Sequence, residues 1–170
     1  MIAAGGVRLV GLPPVVSPAT RLLVLGSFPG ARSLAEQQYY AHPRNQFWRI
    51  LSLLWNEDLV ALPYADRLAH LQARGLGLWD VYASCERQGS LDTAIRAPQV
   101  NDFAGLARCC PLLEAVAHNG GESFRHARHS ATLAVSVHRL PSTSPAHAAW
   151  SLERKCEAWA DVFRQHHLFR

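Results

Sequence analysis

Residues 22–48 read LLVLGSFPGARSLAEQQYYAHPRNQFW, and the rest of the chain is organised around them. An apolar run from Leu22 to Leu25 stops at Gly26. With Arg21 in front, it predicts a short buried parallel strand over 21–25. A tight loop follows, Gly26-Ser27-Phe28-Pro29-Gly30. Then come the aromatic pair Tyr39-Tyr40 and the polar string His42-Pro43-Arg44-Asn45, which runs into an amphipathic helix. Glycines, aromatics and uncharged polar groups set just past a buried strand are how open α/β sheets build a ligand crevice.

The helix is predicted over 45–55, because Phe47, Ile50, Leu51 and Leu54 fall at i, i+3, i+4 and i+7, with Pro43 just ahead of the start. Ser33-Leu34-Ala35-Glu36 has the pattern of a capping box opening a shorter helix. A further helix is expected over 64–74, stopped by Gly75. Strand candidates are Leu76 to Tyr82, Leu112 to Ala117 and Ala131 to Val137. Residues 1–20, with Pro13-Pro14 and Pro18, read as an irregular lead-in. Residues 83–102 read as a long, polar, lid-like loop, within which Ser90 caps a turn over 91–96. Helices are expected over 103–110, 122–129 and 146–166. His126 and His129, three apart, read as a solvated helix face.

Strands alternating with helices define an α/β fold with a mainly parallel sheet, so all four strand ends share one edge. That edge collects Phe28, the 83–102 stretch, Asn119 and the loop Ser142-Thr143-Ser144. With 170 residues the chain fits one domain, 1–170. Hydrophobic content of 49% and charged content of 18% mark a globular rather than a disordered chain. No apolar run approaches a membrane span, and the start lacks the pattern of a secretory signal, so a cytoplasmic location is expected. The net charge of +4 permits an anionic partner without demanding one. The four cysteines, Cys85, Cys109, Cys110 and Cys156, form no CxxC pair, which predicts free thiols and no metal centre.

The known nucleotide and hydrolase signatures are missing. GxGxxG and the Gly-Lys-Ser/Thr phosphate loop do not occur, nor do the GxSxG elbow and HExxH.

The blocks GSFPG, QQYYAHPRNQFW, SCERQGSLDTAIR, HNGG and LPSTSPAHA together resemble the hypoxanthine-DNA glycosylases, a branch of the uracil-DNA glycosylase superfamily. The chain is also similar, more distantly, to the mismatch-specific uracil and thymine glycosylases. The resemblance covers nearly everything beyond the lead-in. It implies a three-layer α/β/α sandwich around a four-stranded parallel sheet, with a base flipped from DNA into a pocket at the strand ends.

Residue roles follow from that resemblance. Cleaving an N-glycosidic bond builds positive charge on the sugar and negative charge on the departing base. A site therefore needs a held water and donors aimed at the base. Most of the superfamily places Asp or Asn at the third position of the first loop to handle the water. Phe28 stands there, as in the hypoxanthine branch, and cannot bond water. Asn45 becomes the catalytic residue, either orienting water or donating to the base, and it also suits a helix cap. Tyr40 matches the position that stacks on the base, where core packing is the alternative. Gly26, Ser27, Phe28 and His42 join it in the base pocket. Asn119 matches the base-edge position, where an αL turn with Gly120 is the alternative. Ser142, Thr143 and Ser144 match the DNA-backbone loop, where an N-cap cluster is the alternative. Two departures are plain: the relatives' loop histidine is Leu140 here, and their wedge leucine falls at Ser144, with Pro145 a possible substitute. Glu86 and Arg87 read as an ion pair.

The only lysine, Lys155, is expected inside the C-terminal helix and away from the crevice. A Schiff-base route to strand cleavage therefore lacks its amine. The expected protein is a monofunctional, cofactor-free and metal-free glycosylase. It acts as a monomer on DNA carrying a deaminated base, hypoxanthine first and uracil or xanthine as alternatives. A non-catalytic damaged-DNA-binding module and a hydrolase of free nucleosides are the rival classes.

Overall fold

Leu22, Leu23, Val24 and Leu25 are all fully buried, so the strand they form is covered on both faces. The computed structural model describes residues 6–169. The first part of the lead-in, residues 1–5, lies outside the described residues. The chain runs β1 (Arg8–Val10), β2 (Leu22–Gly26), α1 (Ala31–Glu36), α2 (Phe47–Trp55), α3 (Tyr64–Ala73), β3 (Leu76–Asp80), β4 (Tyr82–Glu86), β5 (Arg96–Val100), α4 (Phe103–Cys109), β6 (Ala115–Asn119), α5 (Gly121–Phe124), β7 (Ser136–Leu140) and α6 (Leu152–Gln165). Short 3₁₀ turns cover Asp92–Ala94 and Ala127–Leu133.

The central sheet is parallel throughout, in the order β3-β2-β6-β7. The period-two alternation of its strands divides the core. Leu22, Val24, Leu76, Leu78, Ala115 and Ala117 face Phe47, Ile50 and Leu51 of α2 with Trp159 and Phe163 of α6. Leu23, Leu25, Trp79 and Val116 face Phe103 and Leu106 of α4, with Leu133. This is the expected α/β/α sandwich. Each fully buried leucine contributes roughly 1.5–3 kcal/mol. No helix among the described residues is long and apolar enough to cross a membrane.

Several local expectations are corrected. Short strands interrupt both the irregular lead-in and the 83–102 stretch: β1, β4 and β5 form a second, antiparallel sheet in the order β1-β4-β5. All five residues of β5 are exposed, so its composition is that of a loop, and only long-range pairing makes it a strand. The last two parallel strands start three and five residues later than their apolar runs. Leu133, read as strand, instead buries itself from a 3₁₀ turn, and Ser136–Leu140 pairs residue for residue with Ala115–Asn119. The predicted helix at 122–129 is one turn of helix followed by 3₁₀ turns, and His126 packs edge-on to Tyr82 with ring centroids 5.2 Å apart, half-buried rather than solvated. The capping box at Ser33 does not form. Helix α1 begins three residues earlier, at Ala31, whose N–H is accepted by Ser90 Oγ at 2.8 Å. Ser90 thus caps α1, not its own turn. Helix α6 starts at Leu152, where Ser151 Oγ accepts the Arg154 N–H. All four cysteines are free.

One buried polar chain stitches β6 to β2. Ser123 Oγ donates to the Leu25 carbonyl at 2.8 Å and lies 2.8 Å from His118 Nδ1. A hydroxyl has one proton, so His118 must donate from Nδ1, which leaves its buried Nε2 without a partner. Burial then pushes His118 down to about 4. The unfolded chain takes up this proton below about pH 6.5, whereas the fold refuses it until about pH 4. The contribution to stability is complete above pH 6.5 and is lost as pH falls toward 4, at up to about 1.4 kcal/mol per pH unit. Urea denaturation at pH 7 and pH 5 reads this slope, and His118→Gln is expected to flatten it.

Candidate active site

The parallel register sets Gly26 opposite Asp80 and Asn119 opposite Leu140, so four strand ends meet at one edge. The edge opens into a cavity of about 450 Å³, a volume typical of a ligand site. Phe28, Tyr40, His42, Asn45, Asn119, Ser142, Thr143 and Ser144 all line it. Gly26 and Ser27 do not, contrary to expectation. Gly26 lies beneath the floor, where a Cβ would stand 2.5 Å from Asp80 Oδ1. Ser27 faces a neighbouring cavity of about 270 Å³.

The first loop is held by Arg87. Its guanidinium donates to the Pro29 carbonyl at 2.6 Å and the Gly89 carbonyl at 2.9 Å, and it lies 5.2 Å from the centre of the Phe28 ring. It makes no ion pair with Glu86; backbone carbonyls took the place of the expected partner. The aromatic pair divides its labour. Tyr39 is an anchor: its hydroxyl donates to the Pro13 carbonyl, and its own carbonyl accepts Trp48 Nε1–H. Tyr40 follows in the left-handed region at φ +55, a conformation that costs a non-glycine residue about 1–2 kcal/mol. That turn stacks its ring on Phe47, with centroids 4.1 Å apart, at the cavity wall. Burial raises the Tyr40 phenol above its ordinary range, so it stays protonated.

Asn45 meets both of its readings. Oδ1 accepts the Phe47 N–H at 2.9 Å, capping the start of α2. A backbone N–H must meet the amide oxygen, which fixes the orientation of the group and leaves Nδ2 as its free donor. His42 Nδ1 accepts the Arg44 N–H at 3.1 Å.

Asn119 lines the cavity and also has a structural partner. Oδ1 accepts the Thr143 N–H at 3.0 Å, and Nδ2 donates to Thr143 Oγ1 at 2.9 Å. The amide clamps β6 to the 142–147 loop with one N–H and one lone pair, and keeps one of each at the cavity wall. The positive φ falls on Gly120 instead, at +101. Ser142 Oγ accepts the Ser144 N–H, and Ser144 Oγ accepts the Ala146 N–H. No helix starts here, since α6 begins eight residues after Ser144. The cluster is therefore not the N-cap that stood as the alternative to a DNA-backbone loop.

Lys155 also needs correction. It belongs to α6 as expected, but its Nζ is buried directly behind the cavity wall. It donates to Gln46 Oε1 at 2.9 Å and to the carbonyl of His147, a cavity residue, at 2.7 Å. Gln46 N–H in turn donates to the Thr143 carbonyl at 2.9 Å. Burial lowers the Lys155 amine below its ordinary range.

Two cavity groups had no place in the reading of the sequence. Asp80 closes β3 and is 5% exposed, with Oδ2 buried and unpartnered. Burial, reinforced by the charge of Asp92, lifts its carboxyl to about 7. The available signal was a lone acid ending the apolar run LGLWD at a sheet edge. His147 lines the same cavity with Nδ1 buried and unpartnered. No group of three or more His, Cys, Asp or Glu among the described residues has the arrangement of a metal site.

The family model of the uracil DNA glycosylase superfamily matches residues 13–163. The chain belongs to that superfamily and is a DNA glycosylase. It is 37% identical over 155 residues to a hypoxanthine DNA glycosylase from Methanosarcina barkeri, covering 91% of this chain and 98% of that protein. It is 36% identical to a hypoxanthine DNA glycosylase from Methanosarcina acetivorans, covering 91% and 97%. The solution NMR structure of a candidate uracil DNA glycosylase from Methanosarcina acetivorans is similar at a TM-score of 0.83 and 34% identity, covering 95% of this chain and 99% of that one.

Lys155→Met removes the link between α6, Gln46 and the His147 carbonyl. Leaving those acceptors unpaired is expected to cost about 1–3 kcal/mol in a denaturant titration. Hydrogen exchange at the Gln46 amide is expected to speed up.

Proposed function

We propose that this glycosylase removes hypoxanthine flipped out of DNA and leaves an abasic site. The observation that carries the reading is Asn45, its oxygen used by the helix and its Nδ2 free, in one cavity with Tyr40 and Phe28. The two relatives above carry the name of that activity.

In the reaction the bond from C1′ to the base nitrogen breaks, and its electron pair leaves with the base. A water oxygen bonds to C1′, and the proton that water sheds balances the base anion. Phe28 offers the water nothing, so catalysis leans on the departing base. Asn45 Nδ2 donates to it as charge develops, a contact stronger in the transition state than before. The Tyr40 ring, backed by Phe47, stacks on the base. Ser142 and Ser144 each use a lone pair inside their turn and keep a hydroxyl proton for the DNA backbone. Thr143, clamped by Asn119, holds that turn in place. Lys155 is locked behind the wall, which favours a monofunctional enzyme without a Schiff base. The expected working form is a cytoplasmic monomer.

Short labelled DNAs carrying one hypoxanthine, uracil, xanthine or no lesion test the reading, with alkali to reveal abasic sites. Wild type is expected to release hypoxanthine first. Asn45→Ala is expected to slow release by about 100-fold or more, as for loss of one transition-state donor. No strand cleavage is expected before alkali. Release of uracil alone would transfer the assignment to uracil. Binding without release would leave a damage-binding module.

A further inference from the structure

Hydrolysis needs a water at C1′, and the residues given roles at the reaction centre do not hold one. Phe28 has no polar side-chain atom, and Asn45 turns its oxygen to α2 and its Nδ2 to the base. Two features of the structure bear on that gap. Asp92 opens the 3₁₀ turn Asp92–Ala94, is half-buried and lines the active-site cavity. It also lines the neighbouring cavity of about 270 Å³, so the two cavities meet at this side chain. Ser27 lines that second cavity, 5% exposed, with its Oγ buried and without a hydrogen-bond partner. His126 lines it too, with Nδ1 buried and unpartnered. A polar space of this size holds several waters, at roughly 30 Å³ each, and offers them the partners they require. Glu122 is the other acid common to both cavities, but it is paired with Arg125 at 3.1 Å.

We infer that Asp92 is the general base of the reaction: its carboxylate takes a proton from a water supplied by the second cavity as that water attacks C1′. The inference rests on the proposed glycosylase reading and supplies the half of the reaction that Asn45 does not perform. The bond from C1′ to the base nitrogen breaks, and its electron pair leaves with the base. The water oxygen bonds to C1′, and the proton it sheds passes to a carboxylate oxygen of Asp92. From there the proton moves to the water of the second cavity, which restores the carboxylate, while solvent protonates the departed base. A carboxylate near C1′ also offsets the positive charge that grows on the sugar.

The turn that carries Asp92 is fastened on both sides. Ser90 Oγ accepts the Ala31 N–H at 2.8 Å, which ties the turn to α1 and the first loop. The Asp92 carbonyl accepts the Ile95 N–H at 3.1 Å. Burial raises the Asp92 carboxyl above the ordinary carboxylate range, against the influence of Ser27 and Arg87. A carboxylate raised in this way is a stronger base.

Single-turnover release from a duplex carrying one hypoxanthine measures the chemistry, and azide tells a base from a structural residue. Asp92→Ala is expected to slow release about 100-fold, the usual loss for a general base. Asp92→Asn, which keeps the shape of the side chain, is expected to lose a similar factor. A duplex with 2′-fluoro-deoxyinosine, which resists cleavage, is expected to bind wild type and both variants equally well. Azide needs no base to attack C1′, and its charge replaces that of the carboxylate. It is expected to speed Asp92→Ala about tenfold and to leave wild type unchanged. The product then carries an azido group at C1′, which mass spectrometry reads. Ser27→Ala, which removes one partner of the water, is expected to slow hydrolysis about tenfold. An Asp92→Ala variant that releases hypoxanthine at the wild-type rate would overturn the inference and leave the glycosylase reading standing. So would a slow variant that azide does not speed, or whose loss follows weaker binding of the fluorinated duplex. Wild-type hydrolysis by Ser27→Ala would overturn the second cavity as the source of the water. Wild type that releases no base would sink the glycosylase reading and this inference with it.

Discussion

Four parallel strands that end level with one another are the constraint on which the molecule depends. A parallel sheet is covered on both faces, so its strands β2 and β3 are apolar up to their ends. Chemistry is confined to the loops beyond the strand ends. Register then decides which residues meet: Gly26 beside Asp80, and Asn119 beside Leu140. A slip of one residue in β3 would turn the Asp80 side chain to the other face of the sheet.

The loops beyond that edge contain little regular structure, and they are fastened by side chains bonded to backbone. Arg87 holds Pro29 and Gly89, Asn119 holds Thr143, and Lys155 holds His147. Each clamp places a charged or amide group on a carbonyl or an N–H that the loop cannot satisfy by itself. Preorganisation follows, because the cavity walls need not be gathered when a ligand arrives. Satisfaction is not complete at this edge: Ser27 Oγ, Asp80 Oδ2, Arg87 Nη1 and His147 Nδ1 are buried there without partners.

The α/β class, the first strand, helix α2 and the loop residues Phe28, Tyr40, His42 and Asn45 were legible because they are local. Apolar periodicity, glycine stops and a contiguous motif carry them within one stretch of chain. Asn45 was legible even in its ambiguity, since the capping geometry and the free Nδ2 belong to one amide. What failed to show was whatever depends on a distant partner. Strand β5 is entirely exposed and exists through its pairing with β4. Ser90 caps a helix 59 residues away in sequence. Asn119 carried an amide suited to a base edge, and only the approach of Thr143 revealed that it also clamps a loop.

The sequence by itself determined the α/β class with its parallel sheet and the crevice at the strand ends, because short-range pattern suffices for those, and its motif blocks supplied the residues that face it by resemblance. The tertiary structure decided which polar groups are engaged and which are free. Hydrogen-bond satisfaction is a property of pairs, and here the partners come from separate elements: Thr143 for Asn119, Gln46 and His147 for Lys155. Asp80 became visible in the same way, for an aspartate at the end of a strand is unremarkable until burial removes its water and the opposite glycine leaves it room.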